Sequence, residues 1–71
     1  MAIGADEARA IALHDAEGVY RDVSIYEIDV TPRDGGGFDV VFRLADPTLD
    51  GGGPEYEIAA DGTIAAKRYY Q

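Results

Sequence analysis

Apolar residues recur along this chain with two different periods, and the change of period separates one helix from a set of strands. Over residues 3–18, Ala5, Ala8, Ile11, Ala12 and Ala16 fall on one side at 3.6-residue spacing, opposite Asp6, Glu7, Ala10, His14 and Glu17. The predicted helix is therefore amphipathic, and its buried stripe is mostly alanine, so its axis can lie close to whatever covers it. Gly4 is placed at the N-cap, with Glu7 reaching back as in a capping box and Ile3 stapled onto Ala8, and Gly18 is placed at C′. Asp15 breaks the stripe in the last turn, where the helix dipole disfavours an anion. Two readings stay open for it: solvation past the sheet edge or capping of a nearby amide, or a semi-buried hydrogen bond to a tyrosine or arginine that shifts its pKa.

After a connection over 19–22 the period becomes 2. A first strand over 23–31 places Tyr26, Ile28 and Val30 on one face, while Val23 and Ile25 have the opposite parity. That mismatch requires either a bulge near Ile25 or packing of the first residues under the helix end. Pro32 and the run Arg33-Asp34-Gly35-Gly36-Gly37 end the strand. The clearest strand, 38–45, carries Phe38, Val40, Phe42 and Leu44 on one face and Asp39, Val41 and Arg43 on the other, and is expected to be central. A second loop over 46–54 leads to a strand over 55–60 with Tyr56, Ile58 and Ala60 inward. The two Asp-Gly-Gly-Gly runs begin at Asp34 and Asp50, an even spacing, so the strands that follow them keep the same facing.

Parity also selects the last turn. A two-residue Asp61-Gly62 loop would put Ile64 on the polar face, whereas a three-residue loop with Gly62 left-handed in a G1 bulge pairs Ile58 with Ile64. The second geometry is expected, followed by a strand over 63–69. The fold class is α+β, with one N-terminal helix packed on a four-stranded antiparallel sheet.

Size limits what such a fold can contain. A chain of 71 residues buries only about 60% of its unfolded surface. Ile11, Leu13, Tyr26, Ile28, Val30, Phe38, Val40, Phe42, Leu44, Tyr56, Ile58 and Ile64 must form most of the core, leaving no room for a deep substrate pocket. Fourteen acidic against six basic side chains give a net charge of −8, which opposes nucleic acids and anionic membrane surfaces and favours a basic partner. Cysteine is absent, so disulfides and thiolate metal sites are excluded. No apolar run approaches the ~18 residues of a membrane span, and no basic and apolar leader pattern opens the chain.

Candidate chemistry is sparse. His14, the only histidine, reads as a surface residue, and Ser24, the only serine, lies inside a predicted strand rather than in a nucleophile elbow. No lysine and hydroxyl residue follow the glycine runs as a phosphate loop needs, and residues 46–50 lack the alternating ligands of a calcium loop. No catalytic, cofactor-binding or metal-ligating residue is therefore assigned. On the polar sheet face, Asp29, Arg43 and Glu57 are expected to line up across three strands, with Glu55 opposite Lys67. That face serves either solubility and register or recognition of a protein partner by Val41, Arg43, Glu57 and Tyr69. Tyr26 and Tyr56 are expected in the core, and Tyr69 and Tyr70 form an exposed aromatic contact or a packed end.

Three segments together resemble the PepSY domain family over nearly the whole chain. They are Ile3-Gly4-Ala5-Asp6-Glu7-Ala8 with Ile11-Ala12-Leu13 and Ala16-Glu17-Gly18, then Phe38-Asp39-Val40-Val41-Phe42, and last Tyr56-Glu57-Ile58-Ala59-Ala60-Asp61-Gly62-Thr63-Ile64. The resemblance implies a helix laid across an antiparallel sheet in a cystatin-like arrangement. It also implies a bacterial cell-envelope or secreted setting and a non-enzymatic role in binding, regulating or inhibiting a peptidase or another envelope protein. It carries no shared catalytic residues onto this chain. Gly4 stands where a capping serine or threonine is frequent in the family. The other expectation, from a structural class, is a self-associating or spacer domain with no peptidase link.

Overall fold

The computed structural model describes residues 2–20, 22–46, 48 and 53–69. Helix α1 (Ala5–Glu17) is followed by β1 (Tyr26–Pro32), β2 (Phe38–Leu44), β3 (Glu55–Ile58) and β4 (Ile64–Arg68), which form one antiparallel sheet in the order β1-β2-β3-β4. The fold is the expected α+β arrangement, with β2 inside the sheet.

The alanine stripe does what its size allows. Ala8, Ala12 and Ala16 are fully buried against Val40, Phe42, Tyr56 and Ile58, whereas Ala5 is exposed. No side chain caps the helix N-terminus, so the expected capping box does not form. Instead the Ile3 amide donates to the Ala60 carbonyl at 2.9 Å, which ties the helix entrance to the β3–β4 turn. Gly18 sits at the C-cap with φ −78°, right-handed, and the chain winds on through amide bonds from Val19 and Tyr20 to the Ala16 carbonyl.

The parity mismatch before β1 is resolved by a turn, not by a bulge. Both the amide and the hydroxyl of Ser24 donate to Asp22 Oδ1, and the Tyr26 amide donates back to the Val23 carbonyl. Val23 packs against the core and Ile25 is left 43% exposed. Two glycines are fixed by geometry. Gly62, at φ +91°, closes the three-residue turn that pairs Ile58 with Ile64, as the parity argument requires. At Gly53 a Cβ would lie 2.7 Å from Phe42 Cβ, because its amide bonds the Phe42 carbonyl next to Pro54, which has no amide proton of its own.

One irregularity redirects the last strand. Ile58 pairs with Ile64, but Glu57 pairs with Ala66, so Ala65 is an extra residue and the facing of everything after it is reversed. Glu55 therefore stands opposite Arg68, not Lys67, and Lys67 pairs with Tyr56 on the helix side of the sheet.

Candidate functional site

Reversed facing brings Lys67 and Tyr69 to Asp15, where Tyr56 of β3 already points. Its carboxylate accepts from the hydroxyls of Tyr56 at 2.9 Å and Tyr69 at 2.5 Å, with Lys67 Nζ at 3.4 Å. This is the semi-buried tyrosine partner that one reading of Asp15 anticipated, with a second tyrosine and a lysine added. The Tyr69 hydroxyl first, then the Tyr56 hydroxyl and the Lys67 ammonium, hold the Asp15 carboxyl below the usual carboxylate range against the opposing effect of burial. Burial first, and then the Asp15 bond, push the Tyr56 phenol well above its ordinary value.

The rings continue the cluster into a closed circuit. Centroid separations run 5.9 Å from Tyr20 to Tyr26, 6.1 Å to Phe42, 6.0 Å to Tyr56, 6.3 Å to Tyr69 and 6.0 Å back to Tyr20. Tyr69 therefore belongs to the helix side and not to the polar face where recognition was expected. It is a packed end, still 39% exposed; Tyr70 lies outside the described residues.

On the opposite face of the sheet, which no described element covers, strand pairing sets three rows. Glu27 faces Arg43; Asp29, Val41, Glu55 and Arg68 form the second row; Thr31, Asp39, Glu57 and Ala66 form the third. The expected single row of Asp29, Arg43 and Glu57 is thus not formed, because parity fixes which face a residue takes but the loops fix its register. Arg43 reaches diagonally to Asp29, with Nε on Oδ2 and Nη2 3.2 Å from Oδ1, and also lies 3.5 Å from Glu27. The guanidinium lowers the Asp29 pKa. Arg33, from the β1–β2 loop, holds the two neighbouring acids Asp39 and Glu57 at 2.6 and 2.9 Å. Its position in a loop gave no facing to read from the sequence.

Between these pairs lies a shallow depression of about 320 Å³, with Val41 and Ala66 among its lining and Thr31, Asp39, Glu55, Glu57 and Arg68 around it. Among the described residues Glu55 and Arg68 enter no ion pair, so this row holds one free charge of each sign beside an apolar side chain. Of the expected partner-binding residues, Val41 and Glu57 meet here, Arg43 lies at the margin and Tyr69 is absent. Among the described residues no group of three His, Cys, Asp or Glu side chains could hold a metal ion, and no helix is long and apolar enough to cross a membrane.

No protein-family model, curated protein or solved structure matches this chain.

Proposed function

We propose that the chain is a non-enzymatic binding or regulatory module of the PepSY type, which presents its uncovered sheet face to a peptidase or another envelope protein. The observation that carries this reading is the row Asp29, Val41, Glu55 and Arg68, where unpaired charge flanks an apolar side chain on a sheet face that no described element covers. A pair of free opposite charges can be satisfied by a partner without either leaving water unpaired, and the small apolar floor can be dried by contact. The net charge of −8 favours a partner with a basic surface and makes association sensitive to salt.

Titration of the domain against a thermolysin-type peptidase, with cleavage of a peptide substrate as readout, tests the reading. Dose-dependent inhibition that weakens as salt rises, and that Glu55→Lys and Arg68→Glu each reduce about tenfold, is the expected result. Inhibition indifferent to both substitutions would remove the uncovered face from the account, and a folded domain without inhibition would remove the peptidase.

A further inference from the structure

The helix does not sit over the middle of the sheet. It packs chiefly on β1 and β2 and less on β3, while Asp15 reaches Tyr56 and Tyr69 on one flank and Ile11 approaches Gly62 on that same flank. By helical geometry Arg9 and Leu13 lie on the other flank, over the β1 side. Leu13, Val23, Ile28 and Val30 are all only half-buried there, so a partly dried apolar strip runs between the helix and the free edge of β1.

The backbone of that edge can be read residue by residue. The Ala45 amide bonds the Ile25 carbonyl and the Arg33 amide bonds the Gly37 carbonyl, so odd-numbered residues of β1 point their amides and carbonyls at β2. Residues 26, 28, 30 and 32 then point theirs outward. The Tyr26 amide is used by Val23, and Pro32 has none, which leaves the Ile28 and Val30 amides and four carbonyls facing solvent. Pairing in β1 is continuous over its seven residues, whereas the other edge, β4, is interrupted at Ala65.

We propose that the outer edge of β1 docks a basic extended segment of a partner protein, added as a fifth strand through the Ile28 and Val30 backbone with its cations beside Glu27 and Asp29. This rests on the binding-module reading and names both the edge used and the chemistry of the partner. A fifth strand at this position centres the helix on the sheet and covers the Leu13, Ile28 and Val30 strip. Charge selects the occupant. Arg43 alone serves both Glu27 and Asp29, so the edge keeps a net negative charge, and antiparallel pairing of two β1 edges would set carboxylates of two copies against each other.

The probe is an alternating Lys–Val peptide about as long as β1, with its Glu–Val counterpart as control, followed by amide shifts and hydrogen exchange in labelled protein. The expected result is shifts centred on Ile28 and Val30, with exchange at both slowed about tenfold or more, and binding of the Glu–Val peptide about tenfold weaker. Val30→Pro removes an outward amide without touching the β1–β2 ladder and abolishes binding. Glu27→Lys leaves the backbone intact and reverses the preference between the two peptides. Shifts centred on Val41, Ala66 and Arg68 would overturn the edge proposal while leaving the binding module on its open face. No shift at millimolar peptide would overturn it too, with the peptidase titration still judging the module. Self-association through β1 in the absence of peptide would replace the basic partner with a second copy.

Discussion

Asp15 ties the helix to both β3 and β4 through its bonds to Tyr56, Lys67 and Tyr69. Removing it leaves the buried Tyr56 hydroxyl without an acceptor, so Asp15→Ala should destabilise the domain by about 1–3 kcal/mol, measured by urea denaturation at neutral pH. The pH dependence has a definite sign. Because the folded carboxyl titrates below its unfolded value of about 3.9, its contribution is complete above that pH and is lost as pH falls through the folded value. The gap between wild type and Asp15→Ala should therefore be constant from neutral pH to about 5 and close below about 4; a gap that stays open in acid would show that the charge plays no part. At the alkaline end Tyr56 should remain protonated past about pH 10 in an absorbance titration. An acid in an apolar stripe was legible in the sequence as a residue in need of a partner. Which partners it has was not, because all three come from the other end of the chain.

At the scale of elements, the hydrophobic pattern marks what it can and no more. The Ala8, Ala12 and Ala16 stripe and the alternation in 38–44 are strong enough to place the helix, the inner strand and the buried faces, and the Ile58–Ile64 pairing follows from the turn alone. The bulge one residue later is silent, since Ala65 and Ala66 are small, apolar and exposed, and either could take either face. That silence hid the turning of Lys67 and Tyr69 towards the helix. Deleting Ala65 tests the point: regular pairing then puts Ala66 opposite Glu57 and Lys67 opposite Tyr56 with no residue to spare, so Lys67 and Tyr69 should stay on the helix side and the variant should lose less stability than Asp15→Ala. A loss as large as that of Asp15→Ala would mean that the contacts to Asp15 need the bulge itself and not only the facing it sets. Gly53→Ala should cost about 1–3 kcal/mol in the same assay, since its Cβ meets the Phe42 backbone and ring-bearing carbon.

For the whole molecule the charge imbalance outweighs the individual ion pairs. The pairs of Arg33 and Arg43 are solvent-exposed and contribute little, whereas fourteen acids against six bases repel one another across a small surface. Raising salt from low values to about 0.15 M should therefore raise the Tm, and a fall would show that the surface pairs dominate. The aromatic circuit also gives the molecule its own optical reporter. The chain contains no tryptophan, so its near-ultraviolet dichroism and emission come from tyrosines and phenylalanines, and four of the five tyrosines lie in that circuit. A phenol bonded to a carboxylate emits weakly, and coupled rings produce a dichroic band that isolated rings do not. Loss of that band with a rise in emission, while the far-ultraviolet spectrum holds, would signal β4 leaving the helix before the rest of the domain opens.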